Sequence, residues 1–199
     1  MPASPVKPKG AGPRPDLPAQ SANPHLDVVD RAPPVKFQEI MRDGHATIVG
    51  RVKIVTPSGH AFILRRLDTG AISLTTMFRA AFPSASDEAE KVEATWVRAN
   101  FDISGANRSG RSRFAGTWIS PEVAKYLAKD YRLGPIIDAL SDANPDPTVV
   151  YRKSTRNTQT PTGSPAASAT LPTPPATTTP SQPPAAKRRR EESPSGIPV

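Results

Sequence analysis

The 199-residue chain has no cysteine, which excludes disulfides and thiolate metal sites and permits a reducing compartment. Its three histidines, His25, His45 and His60, are scattered. With no thiolate to complete a ligand set they read as unrelated surface or edge residues, and neither a metal nor another cofactor is expected. No apolar run approaches the ~20 residues of a membrane span. The N-terminus also lacks a signal-peptide core, so the chain reads as soluble. No nucleophile, base and orienter recur at motif spacing, and an enzyme is not expected. Aromatic residues make up only 6% of the chain, and the two tryptophans, Trp96 and Trp118, read as core anchors.

Proline, by contrast, is abundant and unevenly spread. Of 25 prolines, nine fall between Pro2 and Pro34, ten between Pro161 and Pro198, and six in the middle. Such segments bury too little apolar surface to offset their ordering entropy. The expectation is a disordered Pro-rich arm over residues 1–34, one domain over 35–153, and a disordered Ser/Thr/Pro-rich tail over 154–199. The net charge of +8 divides as +1, +4 and +3 across arm, domain and tail. That bias favours a nucleic acid or another anionic partner.

Within the domain, VKFQEIM, ATIVGRVKIV and AFILRR read as three antiparallel strands, with Thr56-Pro57-Ser58-Gly59 turning between the last two. Asp68-Thr69-Gly70-Ala71 shares its residues with aspartic-protease active sites. Arg65 and Arg66 stand where a protease would bury an apolar strand, so the segment reads as a turn. Ser73 caps a helix running to Ala81, with Leu74, Met77, Phe78 and Ala81 apolar and Thr75, Thr76 and Arg79 outward. Ser84 or Ser86 caps a second helix, Asp87 to Phe101, with a stripe through Ala89, Val92, Trp96 and Ala99 or Asn100. A helix-turn-helix and an ordinary helical hairpin share this pattern.

Residues 104–113 hold two glycines, three arginines and no acid, and read as a flexible cationic hairpin tip, either solvated or placed to grip phosphates. Phe114 to Ile119 reads as a strand. Ser120 caps a helix with Pro121 at its first position, Glu122 at the positive end of its dipole, and Val123, Ala124, Leu127, Ala128 and Tyr131 on its buried face. Gly134 stands where a left-handed C-cap belongs, and Pro135 opens a short helix, Ile136 to Leu140.

Two of these blocks, taken together, resemble a known family. Gly70-Ala-Ile-Ser-Leu-Thr-Thr-Met-Phe-Arg-Ala-Ala81 and Gly116-Thr-Trp-Ile, in that order, resemble the KilA-N/APSES signature. The Trp-Ile-Ser-Pro-Glu run, with Ala128, Tyr131, Leu133 and Ile136 to Leu140, is similar to the fungal bouquet-formation, telomere-anchoring group. The resemblance implies an α+β, winged-helix-like DNA-binding domain: a small antiparallel sheet, a helix-turn-helix pair, a basic wing and closing helices. By position, Ser73 stands at the signature Asn, Thr75 at its Thr and Arg79 at its Lys. The implied DNA contacts are Thr75, Thr76, Arg79, Arg98, Asn107, Arg108, Arg111 and Arg113. The second helix departs from the pattern, carrying Asp87, Glu88, Glu90 and Glu93 where transcription-factor members carry bases. Carboxylates there repel phosphates, which leaves backbone contact through the wing, or a domain that binds protein partners.

In the tail, Lys187, Arg188, Arg189 and Arg190 read as a nuclear localisation signal for an import receptor. Thr160, Ser164, Thr173, Thr179 and Ser193 each precede proline and are candidate phosphorylation sites. The sequence thus points to a nuclear DNA-binding protein in chromatin or telomere organisation or transcription. The alternative is a nuclear adaptor whose domain binds partner peptides.

Overall fold

Period-two alternation from Lys36 to Arg66 becomes three long antiparallel strands, β1 (Lys36–Arg42), β2 (His45–Thr56) and β3 (Gly59–Arg66). The computed structural model describes residues 6–28, 31–108, 110 and 112–154, all within one compact unit, Met1–Asn157. Two short strands, β4 (Ile72–Ser73) and β5 (Trp118–Ile119), extend the sheet in the order β1-β2-β3-β4-β5. The strand expected from Phe114 thus begins only at Trp118. Asp68-Thr69-Gly70 is a turn, with Gly70 at φ +72° and the Asp68 carboxylate bound by Arg66.

Helix α1 (Leu74–Ala81) follows β4, α2 (Asp87–Asn100) and the single turn α3 (Ser104–Arg108) come next, and α4 (Pro121–Ala128) and α5 (Gly134–Asp142) close the domain. The caps are local and fall where serine stands. Ser73, Ser86 and Ser120 accept the backbone N–H of Thr76, Ala89 and Val123, each worth about 1 kcal/mol. The left-handed residue after α4 is Arg132 (φ +56°), not Gly134, which instead opens α5 beside Pro135.

One face of the sheet, through Val52, Ile54 and Ile63, packs with Leu74, Met77 and Phe78 of α1, Val97 of α2, Leu127 of α4 and Ile137 and Leu140 of α5 into a single core. Each fully buried aliphatic side chain contributes about 1.5–3 kcal/mol. Phe78, Phe82 and Tyr131 form a ring cluster with centroids 5.0, 5.5 and 6.1 Å apart. Among the described residues no helix is long and apolar enough to cross a membrane.

Two expectations are corrected here. The buried face of α2 is Glu93, Ala94, Val97 and Asn100, while Val92 is 45% exposed and Ala99 points outward. Of the stripe expected through Ala89, Val92, Trp96 and Ala99 or Asn100, Asn100 is buried and Ala89 and Trp96 are partly buried against the core, whereas Val92 gives way to Glu93; the two polar side chains find partners inside. Those partners come largely from the arm, which is the second correction. Residues 6–28 lie against the domain rather than apart from it. Lys9 and Ala11 donate backbone N–H groups to the Asn100 carbonyl and side-chain oxygens. Trp96, half-buried rather than a core anchor, donates its indole N–H to Gly12. The chain then makes two 3-10 turns, Ala19–Ser21 and Pro24–Val28. Asn23 and Leu26 are buried, and Arg132 grips Asp27 with 2.6 and 2.8 Å contacts.

Tyr131, 1% exposed, donates its hydroxyl to Glu93 at 2.8 Å. Burial first, and the Glu93 charge second, raise its phenol well above the usual value of about 10. The neutral phenol is the form favoured in the folded state. Its contribution is therefore complete below pH ~10 and is lost as pH climbs from there toward the raised folded value. Urea titrations on either side of that pH are expected to show an alkaline loss of stability that is absent from Tyr131→Phe. That variant is less stable at neutral pH by about 1–3 kcal/mol.

Candidate functional site

Because antiparallel partners share a face, the register of β1, β2 and β3 sorts the outward side chains. Lys36 lies opposite Arg51, Arg51 opposite Leu64, and Lys53 opposite Phe62. These residues alternate with Val52 and Ile63, which point into the core. With Pro33 and Pro34, the side chains of Lys36, Arg51, Lys53 and Phe62 line a depression of about 330 Å³ with no carboxylate in its wall. The Arg51 guanidinium stands 5.1 Å from the Phe62 ring centroid, and its Nε is buried without a hydrogen-bond partner among the described residues. His60 packs edge-on against the other side of Phe62 at 5.2 Å. The result is an open patch of sheet that joins an aromatic surface to three cations, suited to a short chain segment carrying both apolar and acidic side chains.

The other end of the same face is closed. Arg66, 1% exposed, is held by Asp68 at 2.6 and 3.0 Å and lies 4.7 Å from the Phe114 ring and 5.9 Å from the Trp118 ring. Gly110, at φ +88°, rests directly on this pair, and a Cβ there would overlap both Arg66 and Asp68. Ser112 is buried, sharing a hydrogen bond with Thr47 and donating to the Arg42 carbonyl, while the Arg113 N–H donates to Asp43. Ser104–Arg108 is therefore a helical turn, and Gly110 and Ser112 lie against the sheet. Of the flexible hairpin tip expected from composition, Ser104–Arg108 is corrected to a helical turn, and Ser112 is buried rather than solvated.

Three of the residues singled out from sequence are fasteners of this closure. Thr75 Oγ1 accepts the Thr117 N–H at 3.3 Å, and Arg98 donates to Thr117 Oγ1 at 2.6 Å. Asn107 both accepts the Trp118 N–H at 3.0 Å and donates to its carbonyl at 2.6 Å. Three of the candidates thus converge on Thr117 and Trp118, which brings the two signature blocks into contact. Thr76 donates its hydroxyl to the Ser73 carbonyl and accepts the Leu64 N–H. Arg79 lies apart, at the α1–α2 turn, paired with Glu90 at 2.6 Å and Asp87 at 3.6 Å. Its guanidinium is held charged by the Glu90 hydrogen bond, which outweighs desolvation. Arg113 is exposed. The side chains of Arg108 and Arg111, the localisation run Lys187, Arg188, Arg189 and Arg190, and the phosphorylation candidates lie outside the described residues.

The depression itself went unread in the sequence, although a signal was there. Arg51, Lys53 and Val55 occupy alternate positions of β2, so one strand face is basic where its partner face is apolar. Arg14 and Arg66, by contrast, carried no local signal of burial.

No protein-family model matches the chain. It is 36% identical over 154 residues to Bouquet formation protein 4 of Schizosaccharomyces pombe (strain 972 / ATCC 24843), a match covering 74% of this chain and 34% of that protein. The chain therefore spans about a third of the length of that curated relative. The crystal structure of the N-terminal domain of Bqt4 in S. pombe is similar at a TM-score of 0.56 and 33% identity, covering 64% of this chain and 98% of that one. With nearly the whole of that solved domain matched at this identity, the chain belongs to the Bqt4 family through its N-terminal domain.

Proposed function

We propose that the domain is a nuclear adaptor of the telomere- or nuclear-envelope-tethering kind, which grips a short acidic and apolar peptide of a partner protein on the open face of β1, β2 and β3. The observation that carries this reading is the depression in which Lys36, Arg51 and Lys53 surround Phe62 with no carboxylate among them. Kinship with a bouquet formation protein supports the setting. An APSES/KilA-N-like, winged-helix type of fold remains part of the reading. Its support is the α1–α2 pair that follows β4 and the meeting of Thr75 with the Gly116-Thr117-Trp118 block.

The full chain, panned against displayed random short peptides, is expected to enrich sequences that place Asp or Glu beside a large apolar residue. Phe62→Ala and Lys53→Glu should each weaken the enriched peptides about tenfold or more, because both remove a central contact and leave the core intact. Peptides bound equally well by both variants would overturn the assignment of the face. Backbone binding to DNA through Arg108, Arg111 and Arg113 is the second reading, favoured by the net charge of +8 and the exposure of Arg113. A gel-shift salt series on a random duplex discriminates the two. Affinity that falls steeply with salt, drops with the three Arg→Ala changes and ignores Phe62→Ala supports DNA.

A further inference from the structure

Arg14 enters a site that is largely built without it. Glu93, 2% exposed on α2, is held by the Tyr131 hydroxyl at 2.8 Å, and Trp96 stands one turn further along the same helix. Into this recess the arm inserts one guanidinium. It lies 5.1 Å from the Trp96 ring and 5.5 Å from the Tyr131 ring, with Nε and Nη2 donating to Glu93 at 3.1 and 2.6 Å and Nη1 paired with Asp130. The Gly12 carbonyl accepts the Trp96 indole N–H at 3.3 Å, which fixes the backbone of the inserted segment. Arg14 is flanked by Pro13 and Pro15, whose fixed φ keeps the segment extended at low entropic cost.

The receiving groups sit on α2 and at the end of α4, whereas the inserted group comes from a segment that between Val6 and Pro18 has no helix or strand. A planar fork that makes two bonds to one carboxylate while lying against two rings selects arginine over lysine, whose ammonium is a single point charge. Glu93 is too buried to be left without a cation, so the recess retains an affinity for guanidinium whenever Arg14 leaves.

We propose that Glu93, Trp96, Asp130 and Tyr131 form an arginine-recognition site for extended, proline-flanked peptide segments, and that Arg14 of the chain's own arm occupies it in cis. An arginine-bearing segment of the same chemistry, presented in trans, competes with the arm for this recess. The site shares no residue with the sheet depression and stands independently of the adaptor reading.

The test uses the full chain carrying Arg14→Ala and three synthetic peptides spanning residues 6–28, with arginine, lysine or alanine at position 14, titrated by calorimetry and tryptophan fluorescence. The alanine chain is expected to bind the arginine peptide about tenfold or more tightly than the lysine peptide. The unmodified chain, its recess filled, binds that peptide about tenfold or more weakly than the alanine chain does. Adding Glu93→Gln to the alanine chain should abolish the preference for arginine. A folded alanine chain that binds none of the peptides, or all three alike, overturns the proposal. If that chain does not fold, Arg14→Lys carries the same comparison. If neither folds, refolding with the arginine peptide must restore the fluorescence signal, and failure to do so overturns it equally.

Discussion

Arg66→Ala is expected to cost about 3 kcal/mol and to release residues 112–117 from the sheet. The guanidinium is almost wholly buried, joined twice to Asp68 and stacked beneath Phe114 and Trp118. Its removal strips a carboxylate of its partner and leaves two rings facing a void, the two mechanisms behind large losses. Asp68 is 27% exposed, so water recovers part of its solvation and the loss stays below the extreme for a buried pair. Arg66→Lys retains a charge without the fork and should fall between the two. The measurements are the urea midpoint and limited proteolysis, which should gain cleavage within residues 112–117. A loss under about 1 kcal/mol with unchanged cleavage would mean that the closure does not depend on this residue.

Asn23→Ala is the second large effect, at about 2–4 kcal/mol, and it tests whether the arm is part of the domain. The Asn23 side chain, 1% exposed, donates to the carbonyls of Val55 and Ala80 and accepts the His25 N–H, while its own N–H donates to Ala81. One side chain thus ties the arm to the β2–β3 end of the sheet and to the C-terminus of α1. Alanine leaves the two carbonyls in a buried setting without that donor. Hydrogen exchange should then quicken in residues 6–28 ahead of the sheet. An arm that exchanges freely in the unmodified chain would sink the idea.

Much of the framework was legible because its causes are local. A serine cap bonds its own backbone three residues on, so Ser73 and Ser120 act where they were read, and of the two candidates for α2 it is Ser86 that caps. Alternation and a glycine turn produced β1, β2 and β3 with hardly any reference to the rest of the chain. The α4 face through Val123, Ala124, Leu127 and Ala128 was likewise visible at helical spacing. Failure came where polar residues were buried by distant partners. Glu93 faces inward on α2 because Arg14, 79 residues away, satisfies it, and the choice left open between Ala99 and Asn100 fell to Asn100, which Ala11, 89 residues away, satisfies. No propensity within α2 encodes that burial.

The candidate residues divide along the same line. Thr75, Arg98 and Asn107 were singled out as DNA contacts implied by the resemblance, but spacing cannot say whether a polar side chain addresses a ligand or its own backbone. Here it is Thr117 and Trp118, brought within reach by the pairing of β4 with β5, that receive them.

Composition and period were enough to establish where the long strands and the helices other than α3 lie, that an excess of positive charge is carried, and that serines begin α1, α2 and α4, since each depends on neighbours within a turn or a strand pair. Which α2 face is inside, that the proline-rich arm docks through Arg14 and Asn23, and that Lys36, Arg51 and Lys53 gather around Phe62 emerged only on folding. Those arrangements depend on hydrogen bonds, ion pairs and cross-strand register between segments far apart in the chain, and no stretch of sequence contains both halves of such a contact.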